Sequence, residues 1–202
     1  HMDHKLVIHK PISKEGKLHL EKVISAVYDR GEGKGAKINV DIIAKDEAGD
    51  PVFTNTMGYL NRWAGGFGGP KVPHSSVVIP EREADYQIKD AYPENVPLLY
   101  RLTGDTYPLH ADPAFAKKAG FDRPIVHGLC SLGYACRMMI GALFPGEPER
   151  MVSIENQFRA VALPGDHFTL HVWKTGENEA LCRMVKDSDG KAILDYGRMT
   201  WK

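Results

Sequence analysis

Apolar and polar residues alternate with a period of two along most of this chain. Before residue 64 the pattern runs through Lys5–His9, Leu18–Tyr28 (LHLEKVISAVY), Ala36–Ala44 (AKINVDIIA) and Val52–Trp63, with the glycine-rich turns DRGEGKG and KDEAGDP between the last three. Side chains at alternate positions of a strand face opposite ways, so this predicts about four half-buried strands and no helix in that region. Four further runs close the chain: Met151–Arg159, His167–Lys174, Glu179–Asp187 and Ala192–Trp201, parted by ALPGD, TGEN and DSDG. One segment breaks the period. Leu129–Phe144 (LCSLGYACRMMIGALF) is apolar nearly all round with only Arg137 charged, which predicts a buried helix that Pro145 and Gly146 stop. Ahead of it, Asp112 is placed to cap a helix of about two turns that opens on Pro113 and ends at Gly120.

The strand sets look like two copies of one unit. Lys45, Asp46 and Gly49 recur at the same spacing as Lys186, Asp187 and Gly190, each followed by a strand ending near Met57 or Met199. Pro11 and Gly16 correspond more loosely to Pro164 and Gly165. The boundaries are drawn at residues 1–70 for the first repeat, 71–97 for a proline-punctuated linker and 98–202 for the second repeat. An alternating sheet needs a cover for its apolar face. In the second repeat the helix from Leu129 supplies it, whereas the first has no apolar helix ahead of Leu6. The cover expected there is a missing N-terminal segment or a partner subunit.

Composition narrows the chemistry. Lys plus Arg and Asp plus Glu both total 26, so no net field draws the chain to nucleic acid or to an anionic membrane. No apolar run approaches the roughly 18 residues of a membrane span. Cys130, Cys136 and Cys182 include no CxxC pair, which argues against a disulfide framework and a zinc knuckle; no metal is assigned. The loop Ala64–Pro70 (AGGFGGP) lacks the Lys-Ser/Thr of a phosphate loop; Gly66, Phe67 and Gly68 either line a substrate pocket or form a tight crossing between the repeats.

The chemistry concentrates between Tyr100 and Cys130, YRLTGDTYPLHADPAFAKKAGFDRPIVHGLC. Asp105 and His110 stand five residues apart around a Gly-Asp turn, a spacing that can bring a carboxylate and an imidazole to one water. His127 and Gly128 sit at the mouth of the long helix, where unbonded N–H groups and the helix dipole favour an anion. Asp112 reads as a cap rather than an acid, and Cys130 as a small buried side chain; His127 is expected to support the loop around Gly128 and to border the substrate, with a catalytic role as the alternative. Arg159, after a strand, is a candidate for a phosphate contact.

YRLTGDTYPLH followed by DPAFAKKAGFDRPIVHGLC resembles the signature of the (R)-specific 2-enoyl-CoA hydratases within the MaoC-like dehydratases, a domain also found in peroxisomal multifunctional enzyme type 2. HKPISKEG, AGGFGGP and QFRAVALPGD extend the likeness over essentially the whole chain. The resemblance implies an α+β double hot-dog fold, with two antiparallel sheets each meant to wrap a central helix and the first helix lacking here. It implies reversible hydration of trans-2-enoyl-CoA to (3R)-3-hydroxyacyl-CoA, with Asp105 and His110 as the catalytic pair and the Gly128 N–H as oxyanion donor. Which of the pair is base and which acid stays open. No cofactor is implied beyond the CoA thioester, and a homodimer is expected. Tyr107 departs from the pattern, standing where the family usually has Asn. A hot-dog acyl-CoA thioesterase and a silent acyl-CoA-binding domain are the alternative readings. The compartment expected is cytoplasmic, or peroxisomal in a eukaryote.

Overall fold

Each alternating segment forms a strand, and the strands share one sheet. The computed structural model describes all residues, His1–Lys202. The strands are β1 (Asp3–Ile8), β2 (His19–Asp29), β3 (Ala36–Lys45), β4 (Pro51–Asn61), β5 (Tyr86–Ala91), β6 (Met151–Phe158), β7 (His167–Gly176), β8 (Glu179–Lys186) and β9 (Ala192–Trp201). Three helices, α1 (Val96–Tyr100), α2 (Pro113–Lys118) and α3 (Gly128–Leu143), lie between β5 and β6. None is long and apolar enough to cross a membrane.

The order of the nine strands is β2-β3-β4-β1-β6-β9-β8-β7-β5. Read outward from the middle, β1-β4-β3-β2 on one side matches β6-β9-β8-β7 on the other, the pattern a duplicated unit leaves when its copies join edge to edge. The join is the antiparallel β1–β6 pair, from Asp3 opposite Gln157 to Val7 opposite Ser153. The hairpins β3–β4 and β8–β9 repeat in detail. Gly49 and Gly190 both adopt left-handed backbone, φ 88° and 70°, where a side chain would be strained.

Residues 71–97 are not linker throughout. Tyr86–Ala91 forms β5, which pairs with β7 from Tyr86 opposite Val172 to Ala91 opposite His167. Its alternation is too short and polar to stand out in the sequence; the open edge of β7 selects it.

The copies differ in what covers them. On β7, Phe168, Leu170 and Val172 are wholly buried, packed in one core with Leu132, Ala135 and Met139 of α3. Removing such side chains from water is worth about 1.5–3 kcal/mol each. On β2, Leu20 and Ile24 are 64% and 66% exposed. The first half has no counterpart of β5 or of the three helices, so its apolar face stands open.

Candidate active site

Two short turns shape the loop that carries Asp105 and His110. Gly104, at φ 118°, ends a 3₁₀ turn over Arg101–Thr103 and sends the chain into the exposed Asp105. The Asp105 carboxylate accepts the backbone N–H of Tyr107 at 3.2 Å, an Asx turn that positions the acid. Pro108–His110 forms a second 3₁₀ turn, and α2 follows at once, its first N–H groups bonded to the Asp112 side chain. His110 is held by what comes after α2: its Nδ1 donates to the carbonyl of Ile125 at 2.8 Å. Since that carbonyl can only accept, Nδ1 carries the proton and the Nε2 lone pair is free.

His127 precedes α3 and is 2% exposed. Its ring stacks on that of His110, centroids 3.7 Å apart and planes 24° from parallel, with Tyr100 at 4.7 Å. Neither of its ring nitrogens has a hydrogen-bond partner. Burial pushes its pKa down, and the neighbouring His110 adds to that. Asp105 opposes the shift through its charge and a backbone carbonyl that lies near without completing a bond. A neutral ring beneath His110 lets His110 take up a proton without facing a second cation. The Asp105 carboxylate and one nitrogen of each imidazole all lie within 4.8 Å of one another.

The start of α3 completes the cluster. Ser131 N–H is the first to bond back into the helix, to the His127 carbonyl, and no side chain caps the end, so the Gly128, Leu129 and Cys130 N–H groups stay free. Glycine at 128 also leaves room for its neighbour: a Cβ there would stand 3.0 Å from the Phe158 ring, which would have to shift.

His110 and Gly128 stand in the wall of a cavity of ≈620 Å³ lined mainly by apolar side chains, among them Leu109, Ile125, Val161 and Ile193, whereas Asp105 and His127 lie behind His110 and are not among its lining residues. Several of its residues are silent in the sequence, among them Tyr59 and Arg62 from the first half, Phe158 at the end of β6, and Ser131 of α3. No local pattern marks them, because elements far apart in the chain bring them to the site. Ser131 accepts a buried hydrogen bond from the Tyr92 hydroxyl at 2.8 Å. Arg159 also lines the cavity, its guanidinium 5.0 Å from the Tyr196 ring centre. Tyr107 reaches the rim, half-exposed, its ring edge-on to Phe115 at 5.4 Å. Residue 107 thus serves Asp105 through its main chain. Burial pushes the Cys130 thiol up to about 11, which leaves it a poor nucleophile.

Gly66, Phe67 and Gly68 are not among the cavity's lining residues. Their loop wraps the buried Asp29, whose carboxylate accepts the N–H groups of Gly31, Gly66 and Gly68 at 2.7–2.8 Å. Close approach of backbone to a carboxylate explains the glycines there.

Comparisons with known proteins agree with one another. The sequence profile of the MaoC like domain matches residues 75–194. Enoyl-CoA hydratase ChsH3 of Mycobacterium tuberculosis is 34% identical over 194 residues, covering 96% of this chain and 67% of its own length. The probable enoyl-CoA hydratase 2 of Dictyostelium discoideum is 34% identical over 98% of this chain and 68% of its own. Among solved structures, a MaoC-like dehydratase from Phytophthora capsici superposes with a TM-score of 0.92 at 31% identity, over 100% of this chain and 71% of that one. The architecture is the double hot-dog.

Proposed function

The chain belongs to the MaoC-like dehydratase family and is a hydro-lyase of that family, and from that premise we propose that it adds water across the double bond of trans-2-enoyl-CoA thioesters to give (3R)-3-hydroxyacyl-CoA, and runs the reverse dehydration. The observation that carries the reading is the grouping of three elements of the site: His110 and Gly128 line one cavity, and the Asp105 carboxylate lies within 4.8 Å of a nitrogen of His110. The three elements are the free Nε2 of His110, the Asp105 carboxylate, and an N–H at the α3 N-terminus with no other acceptor.

In this mechanism the thioester oxygen lies against the Gly128 N–H, which, with the α3 dipole behind it, stabilises the negative charge that develops there. One water is held between Nε2 of His110 and Asp105. As its oxygen bonds to C3, His110 takes one of its protons, and the carboxylate steadies the imidazolium beside it. The proton then passes to C2 as the enolate collapses. Hydroxyl and hydrogen of one water thus end on adjacent carbons, and no other reactant is consumed. Arg62 and Arg159 at the cavity supply positive charge for the CoA phosphates.

The two halves divide the work: the second holds the reacting groups and the first contributes Tyr59 and Arg62 to the cavity wall. The open face of β2 is a contact surface in this reading, covered by a further helix or by a second subunit. Three free cysteines fit a reducing compartment, the cytosol or a peroxisome.

Loss of the enoyl absorbance of crotonyl-CoA without release of free CoA, with chiral analysis of the product, tests the proposal. Free thiol appearing in step with turnover would instead identify a thioesterase. Tight binding of CoA esters without turnover would identify a silent binding domain.

A further inference from the structure

We propose that Asp105, His110 and His127 also form a binding site for one divalent transition-metal ion of the zinc type, and that the bound ion reversibly silences the reaction by occupying the acid–base pair. The inhibitory half rests on the hydratase reading above; the site itself does not.

Three observations carry the inference. The first is the donor set: one carboxylate and two imidazoles suit zinc, cobalt or nickel and are poor ligands for magnesium or calcium, which prefer oxygen alone. The second is spacing. The three donor atoms lie within 4.8 Å of one another, and tetrahedral bonds of about 2.1 Å need them roughly 3.4 Å apart. Closing that gap takes a movement of about an ångström. Asp105 can supply part of it, since it is exposed and follows Gly104, around which nothing crowds.

The third observation is His127. This side chain is 2% exposed, and both of its ring nitrogens lack a partner. A buried polar group without a hydrogen bond is a standing cost that a metal bond would remove. His110 needs no change of tautomer, because the Ile125 carbonyl already fixes its proton on Nδ1, the outer-shell contact that metal-binding histidines commonly have. The stacking sets the required motion. A shared ion must lie near the plane of both rings, and at 24° from parallel these rings must splay further. His110 is anchored at Nδ1 and His127 is not, so His127 is the ring that turns. Arg101, whose charge also reaches His127, works against the cation and Asp105 works for it.

Titration with Co²⁺, followed by its visible ligand-field bands, tests the site directly. His1 is replaced by alanine throughout, because its ring lies in the same cavity and could itself donate. The expected result is one Co²⁺ per chain with the intense bands of a four- or five-coordinate ion, displaced by Zn²⁺. Asp105→Asn, His110→Gln and His127→Gln should each weaken binding by about tenfold or more. Hydration of crotonyl-CoA should fall in proportion to Zn²⁺ occupancy and return on chelation. Absence of the bands, or bands that survive all three substitutions, overturns the site. A bound ion that leaves hydration unchanged overturns the inhibition. If the metal-free protein has no hydratase activity, the functional reading fails, and the spectrum still decides the site.

Discussion

The imidazole of His110 lies face to face with that of His127, their ring centres 3.7 Å apart, yet only His110 has a hydrogen-bond anchor. One ring is fixed and presents a lone pair to the cavity. The other is a buried, unanchored support whose low pKa keeps it neutral beneath the first. The consequences of that division can be measured.

Asp105→Asn and His110→Gln should each lower hydration of crotonyl-CoA by at least about 100-fold, the usual worth of a placed acid or base. Asp105 is exposed and His110 only half-buried, so thermal unfolding should stay close to wild type. Wild-type turnover in either variant would remove the residue from the mechanism.

His127→Leu separates support from stability. Leucine fills much of the volume while deleting two unpaired buried nitrogens, and removing an unsatisfied polar group is neutral or stabilising. The melting temperature should hold or rise, while kcat falls as His110 loses its stacking partner. A large loss of stability would mean that the ring makes a hydrogen bond in solution.

At Gly128 the constraint is steric. An alanine Cβ would meet the Phe158 ring at 3.0 Å, displacing that ring or the Gly128 backbone, both of which line the cavity. Gly128→Ala should cost about tenfold or more in kcat/KM, and the double variant with Phe158→Leu should recover part of it. No recovery would place the defect elsewhere.

Asp29 links the glycine loop to acid stability. Three backbone N–H groups, led by Gly31, hold its carboxyl below the ordinary range in the folded chain. A folded pKa lower than the unfolded one stabilises the fold above the unfolded value, about pH 4. That contribution is lost as pH falls from there through the folded value. Asp29→Asn should therefore lower the melting temperature at neutral pH and flatten its decline below about pH 4. Melting curves from neutral to acid pH test this; parallel curves for the two proteins would refute it.

The open β2 face makes a fifth prediction. Leu20→Lys with Ile24→Lys alters two side chains more than 60% exposed, so the 202-residue chain should fold with unchanged stability. Its self-association, followed by sedimentation, should weaken. Unchanged association would take this face out of the contact surface.

How far the sequence determines this protein can be seen residue by residue. Period-two alternation specifies eight strands, because a half-buried strand must present every second side chain to the core. The all-round apolar run into Phe144 specifies α3 for the corresponding reason, and Lys45-Asp46-Gly49 against Lys186-Asp187-Gly190 exposes the duplication because both hairpins need a left-handed residue at one place. That Asp105, His110 and Gly128 come close together is also legible, since one short continuous stretch carries them.

Other features wait for the tertiary structure. β5 exists because β7 has an edge to pair with, and the copies share a single sheet because β1 meets β6. The glycines at 66 and 68 answer to Asp29, 37 and 39 residues away. Tyr59, Phe158 and Ser131 reach the cavity from three separate elements, and the stacking of His110 on His127 closes a gap of 17 positions in the chain. Local pattern records what a segment needs from its own backbone and solvent; which distant side chains share a cavity is decided only when the sheet closes over α3.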